Sequence, residues 1–485
     1  MRGTAPPARM PPRVLRRVRR TTCTDRPVTA SQGAERMANF AKSRVPRFSA
    51  EVYQNPYLPE GGREVHAIIS VTATGGGTTG GRPVPAAGTG GPAAGVVIMV
   101  DRSGSMDHPP AKLRGAREAT AAALDTVRDG VRFAVVAGNH RAVEVYPGGG
   151  RLAVAAAATR AQAKAALRAL TAGGGTAIGS WLRLTGRLLA SAELGIRHAL
   201  LLTDGRNEHE SPRELRAALD ACSGAFTCDA RGVGTDWEVK EVTGIASALL
   251  GTADIVADPA GLAADFTRMM EAAMGKEIAD VGLRLWTPLG AETVFVRQVA
   301  PTVADLTGRC RESGPRSADY PTGSWGDESR DYHLCLRVPA AGIGREMLAG
   351  RVSLITSAPD GDPARRPPQP LSQGLVRAVW TDDVAAATAI HPQVAHYTGQ
   401  AELAQAIQQG LDARKSGDTD GATAKLGRAV QLAGASGNEG TAKLLAKVVD
   451  VVDTATGTVR LKAKVAEADE MTLETRSTKT VRMKK

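Results

Sequence analysis

The sequence predicts an α/β protein: a doubly wound parallel sheet inserted in, or joined to, a β-sandwich and followed by an α-helical C-terminal region. Three observations carry this expectation. Between residues 96 and 275, short apolar runs such as VVIMV and HALLLT alternate with amphipathic segments, the pattern of strands buried on both faces with helices between them. From 276 to 382 the chain changes to strand-like runs separated by Gly and Pro (VGLRLWTP, AETVFVRQVA, DYHLCLRVP, QGLVRAVWT), as in an antiparallel sandwich. From 383 to 456, stretches rich in Ala and Leu are broken by SGD and SGN and read as three helices.

Taken in order, residues 1–44 form a basic arm without the apolar content for a core, expected to be disordered. Met37 opens MANFAKSRVPRFSAEVY, which reads like a natural beginning, so the first 36 residues are either a real arm or untranslated. Residues 45–74 alternate as two short strands joined at Pro59–Gly62. They find no partner in the α/β unit, which assigns them to the sandwich. GGGTTGGRPVPAAGTGGPAAG at 75–95 is a flexible linker. Within 96–275, the segment 111–130 is a helix ending in a glycine stop, and 159–170 is a helix with Thr159 as N-cap. The spacing around SGD resembles one helix-turn-helix of tetratricopeptide type, but solenoids need several repeats and a plain helical bundle is the reading adopted. Residues 457–485 are polar and charged and are expected to form a disordered basic tail.

The formal net charge of +11 invites a nucleic-acid reading, but its distribution argues against one. Residues 1–36 hold nine arginines against Asp25 and Glu35, and the last ten residues hold five basic groups and no acid. The folded body is left close to neutral. No apolar run is long enough to span a bilayer, and the N-terminus lacks the apolar stretch of a secretory signal. Five cysteines (Cys23, Cys222, Cys228, Cys310 and Cys335) make neither a C-x-x-C pair nor a metal spacing. A sparse, odd count fits a reduced, cytoplasmic protein.

The functional signal begins at DRSGSM, residues 101–106. Asp101 ends a buried strand, with Ser103 and Ser105 in the turn beyond it. Asp204 ends another strand in LLLTDG, and Thr176 follows three glycines in TAGGGTAIG. In open α/β sheets, ligands sit at the carboxyl ends of the strands. Two carboxylates and three hydroxyls can therefore converge there, and a hard divalent cation resolves the repulsion between the acids.

These residues resemble the von Willebrand factor A domain and its metal-ion-dependent adhesion site, a D-x-S-x-S motif with a later Thr and a later Asp. The resemblance covers roughly 96–275, and all five motif positions are filled. It implies that Ser103 and Ser105 coordinate a Mg²⁺ (or Mn²⁺) ion directly. Thr176, Asp101 and Asp204 would act directly or through water. A protein partner's Asp or Glu would complete the shell. The wider arrangement looks like bacterial multidomain proteins of this family.

No P-loop motif, and no G-x-S-x-G elbow with a matching histidine, is present. Asp107 and His108 are the tempting general bases and read as an exposed loop; Glu208, His209 and Glu210 read as a solvated loop near the site. The function expected is a non-enzymatic, metal-dependent protein-interaction module or scaffold in intracellular signalling or stress response. The alternative is an accessory subunit of an AAA+ ATPase. The tail MTLETRSTKTVRMKK suggests a further partner pair: a Ser/Thr kinase acting at Thr478 or Thr480 and a phosphothreonine-binding module, with a solubilising tail as the competing reading.

Overall fold

In the computed structural model the described residues are 47–74, 93–356 and 370–483. The arm at 1–44, the start at Met37 and residues 75–92 of the linker lie outside them.

A β-sandwich opens the chain with β1 (Arg47–Gln54), β2 (Tyr57–Leu58) and β3 (Glu64–Thr74). The α/β unit follows: β4 (Ala94–Asp101), α1 (Ala111–Thr126), β5 (Arg132–Gly138), β6 (Ala142–Tyr146), β7 (Ala153–Val154), α2 (Ala157–Arg168), α3 (Ile178–Ala190), β8 (Ile196–Thr203), α4 (Pro212–Cys222), β9 (Thr227–Val233), α5 (Val239–Ala248), β10 (Ala253–Val256) and α6 (Leu262–Met274). The sandwich resumes with β11 (Val281–Trp286), β12 (Glu292–Ala300), β13 (Ala304–Asp305), β14 (Arg311–Gly314), β15 (Ser317–Pro321), β16 (Glu328–Arg337), β17 (Glu346–Thr356) and β18 (Ser372–Trp380). The C-terminal region comprises α7 (Val384–Thr388), α8 (Pro392–Lys415), α9 (Thr419–Ala435), α10 (Glu439–Val448), β19 (Val449–Asp453), β20 (Thr458–Leu461) and α11 (Glu467–Arg476).

The α/β sheet runs β10-β9-β8-β4-β5-β6, with β7 also beside β5. Its first five strands are mutually parallel, and β6 and β7 are antiparallel to β5. Val96 to Val100 of central β4 are all fully buried because helices cover both faces. One face packs against α3, α4 and α5 and the other against α1, α2 and α6. Gly138, at the end of β5, admits the indole of Trp181: a Cβ there would lie 2.1 Å from the ring. That close approach seats α3 directly on the strand end.

The sandwich pairs a five-stranded sheet, β1-β3-β16-β12-β13, with a six-stranded sheet, β14-β15-β11-β17-β18-β2. β3 pairs with β16 along its whole length, so the α/β unit is inserted between strands of the sandwich. Alternate residues Val65, Ala67, Ile69 and Val71 face the sandwich core, while Ile68 faces Val394 and Tyr397 of α8.

In the C-terminal region, Gly417 and Gly437 take positive φ after α8 and α9, and Asp418 and Asn438 immediately cap the next helices. Several expectations are corrected here. Residues 457–483 of the tail are structured: β20 pairs with β19, and α11 buries Met471, Leu473, Glu474 and Thr475. The region 383–456 is not wholly helical, since β19 lies within it. Helix α1 ends at Thr126 without a glycine stop, and Thr159 is not the N-cap of α2. It sits one turn in, where its hydroxyl accepts from the Ala156 amide at 2.9 Å. Among the described residues no helix is long and apolar enough to cross a membrane.

Candidate functional site at the rim of the parallel sheet

Asp101 ends β4 and Asp204 immediately follows β8, the neighbouring strand, so the sheet brings their backbones side by side. Both are fully buried. The Asp101 carboxylate accepts from the Ser103 amide at 2.7 Å and from the Thr203 hydroxyl at 2.6 Å. Burial pushes its pKa up to about 6, against the lowering effect of these hydrogen bonds, and the Asp204 charge adds to the rise. Ser103 and Ser105 share a hydrogen bond of 2.9 Å, and Ser105 donates to Asp204 at 2.7 Å.

Thr176 arrives on a glycine loop stitched to the first one. The Gly104 amide donates to Gly174 O at 2.8 Å, and the Gly173 amide to Arg102 O at 2.8 Å. Asn139 ties the same loop to β5 through Gly173 O. The three hydroxyls converge beside Gly205. A Cβ on that residue would lie 3.1 Å from Thr176 Oγ1, 3.2 Å from Ser105 Oγ and 3.6 Å from Ser103 Oγ. All five residues named from the sequence are thus gathered at one rim of the sheet, and only a glycine leaves the space between the hydroxyls open.

The sequence did not reveal Lys112. From the first turn of α1 its ammonium reaches Asp204 at 2.8 Å and Asp236 at 2.6 Å. Nor did it reveal Thr203, although the Thr of TDG was a visible signal. The loop carrying Glu208, His209 and Glu210 is more structural than expected. Glu210 and Asn207 accept from the first amides of α3, Gly179 N at 2.7 Å and Ile178 N at 2.8 Å, groups that a helix start leaves unpaired. His209 remains exposed. Asp107 and His108 are exposed and do not line the cleft.

That cleft has a volume of about 610 Å³. Ser103, Ser105, Thr176 and Gly205 form its floor; Arg206, His209, Asp236 and Glu467 contribute to its walls. Glu467, in the first turn of α11, comes from the segment expected to be disordered. An all-oxygen donor set of this kind suits a hard divalent cation. The serines are hydrogen-bonded to each other and to an aspartate already neutralised by a lysine, an arrangement that does not activate a nucleophile.

Sheet order, rim loops and paired carboxylates together define the class: a von Willebrand factor type A fold. Residues 94–255 match the von Willebrand factor type A domain, and residues 431–477 match the von Willebrand factor type A C-terminal domain. A solved von Willebrand factor type A protein from Catenulispora acidiphila is 49% identical, with 91% of this chain and 99% of that one covered and a TM-score of 0.83. The chain belongs to the von Willebrand factor type A family. The ArnB paralog VWA2 from Sulfolobus acidocaldarius shares the fold, at 13% identity and a TM-score of 0.54 over 89% of this chain and 98% of that one. No curated protein matches the chain.

Proposed function

We propose that this protein is a metal-dependent interaction module, not a catalyst. It would bind Mg²⁺ (or Mn²⁺) through Asp101, Ser103, Ser105, Thr176 and Asp204 and capture a protein partner by one of its carboxylates. The observation that carries this reading is the convergence of three hydroxyls beside Gly205, between two buried carboxylates, at the floor of an open cleft. The bound ion would supply an electrophilic position for an acidic side chain. The chain's own residues do the rest: Thr203 and the Ser103 amide fix Asp101, and Lys112 neutralises Asp204.

The protein would serve as an intracellular scaffold in signalling or stress response; the sparse, odd cysteine count fits a reducing, cytoplasmic setting. The Thr478 side chain is exposed although its carbonyl accepts from the Val303 amide at 2.8 Å, whereas the Thr480 hydroxyl donates to Val299 O at 2.6 Å. A phosphate at Thr480 would displace that bond and offer an acceptor to a phosphothreonine-binding module.

Calorimetry tests the site. Wild type takes up one Mg²⁺ or Mn²⁺, and Asp101→Asn loses it; the variant is nearly isosteric, keeps one oxygen to accept from the Ser103 amide and turns its amide nitrogen to donate to the Thr203 hydroxyl, which still donates to Gly205 O. Partner capture from extract should need Mg²⁺ and vanish in EDTA. Capture that persists in EDTA and in Asp101→Asn overturns the reading; Mg²⁺-dependent co-purification with an ATPase turns it toward an accessory subunit.

A further inference from the structure

A second group of metal-ligand residues is assembled on the sandwich, outside the α/β unit. The antiparallel register sets Cys335 of β16 opposite His66 of β3, and Arg337 opposite Glu64. Because strand side chains alternate, Glu64 and His66 share one face of β3, and His333, Cys335 and Arg337 share the same face of β16. The residues between them, Val65, Leu334 and Leu336, point into the sandwich core. The ligand atoms of Glu64, His66 and Cys335 all lie within 4.8 Å of one another.

His66 Nε2 is 3.8 Å from Cys335 Sγ. Around a tetrahedral zinc ion, with Zn–S about 2.3 Å and Zn–N about 2.0 Å, the two ligand atoms stand about 3.5 Å apart. A shift of a few tenths of an ångström would suffice. The other ring nitrogen of His66, Nδ1, is 3.1 Å from His333 Nε2. Such a partner holds a ligating imidazole in one tautomer and one orientation. Phe295 packs edge-on to His333, with ring centroids 5.0 Å apart. Arg337 donates to Glu64 Oε1 at 3.0 Å. Cys335 and His333 are buried while Glu64 is exposed, so an ion can enter from the solvent side.

We propose that Glu64, His66 and Cys335 form a site for a zinc-class divalent ion, with His333 as the positioning residue and the fourth position left to water. A thiolate and an imidazole select a borderline-soft metal over Mg²⁺. Binding forms one metal–sulfur bond and releases the Cys335 thiol proton to solvent, since the thiol is otherwise held protonated by burial. The thiolate and Glu64 balance the ion's two positive charges, while Arg337 and Arg297 keep Glu292 and Asp305 as partners.

The test uses the full chain carrying Asp101→Asn, titrated with Co²⁺ in excess Mg²⁺. One equivalent should bind with a thiolate-to-cobalt charge-transfer band in the near ultraviolet, and Zn²⁺ should erase it. Adding Cys335→Ser or, independently, His66→Gln should abolish the band. His333→Gln should keep it but weaken affinity 10–100-fold. Circular dichroism and the metal-free melting temperature establish which variants fold, and either folded ligand variant suffices for the reading. No band in the Asp101→Asn protein, or a band unchanged in a folded Cys335→Ser or His66→Gln variant, overturns the site.

Discussion

Lys112 is the residue that sets the electrical character of the rim. Without it, two buried carboxylates would face each other uncompensated; with it, Asp204 is paired on one oxygen and still accepts from Ser105 on the other. Lys112→Met should therefore destabilise the metal-free protein by about 3 kcal/mol, the cost of stranding a buried charge. Millimolar Mg²⁺ should restore much of that loss, which thermal melts with and without the ion will measure. Gly205→Ala places a methyl among three hydroxyls and should reduce Mg²⁺ uptake at least tenfold in calorimetry, with a far smaller effect on melting. At this scale the sequence was legible where residue type and strand end coincide, as at Asp101, Ser103, Ser105, Thr176 and Asp204. Lys112 was not legible, because its role depends on the reach of a long side chain to a residue 92 positions away.

Among the elements, α3 best illustrates how loops are held. Its first amides are satisfied from the loop after β8, by Asn207 and Glu210, not by its own N-cap, Ala177. Asn207→Ala should cost about 1–3 kcal/mol, the penalty for leaving a buried donor unpaired, and should loosen Thr176 and weaken Mg²⁺ binding in the same titration. A change in stability with unaltered metal affinity would separate the helix cap from the site. Strands buried on both faces announced themselves as apolar runs, and the sandwich strands as alternation. Helix α11 did not, because its buried face includes the polar residues Glu474 and Thr475. Burial of Glu474 is made tolerable by Lys415 at 2.7 Å. Composition reads such a segment as solvated; only the tertiary partner makes it a packed helix.

For the molecule as a whole, the last residues act as a strap across three regions. Met471 packs into the core of the α/β unit and Leu473 into that of the helical region. Arg476 and Lys479 pair with Asp254 of β10, Thr480 bonds to β12, and Arg482 grips the buried Asp331 of β16 through two bonds of 2.9 Å. Arg482→Ala should lower stability by about 2 kcal/mol, as for hydrogen bonds to a charged group, and raise amide exchange along the strap. Burial alone would raise the Asp254 pKa, but Lys479 and Arg476 outweigh it and hold the carboxyl below its usual range. Its contribution is therefore present above the unfolded carboxylate value of about 3.9 and is lost as pH falls through the lower folded value. Exchange protection of residues 476–482 should fall in strong acid in wild type, and this acid step should be absent from Asp254→Asn.

The pairing of β3 with β16 has a consequence for how the chain comes to be made. His66 and His333 meet across 267 positions, and closing a loop carries an entropy cost that must be met before the contact stabilises anything. During synthesis the first hairpin emerges with its partner strand unwritten, so one sheet edge stays open while the intervening α/β unit is completed. That unit, rich in neighbouring strand–helix contacts, should condense first, bring its two ends together and let the waiting hairpin zip up last.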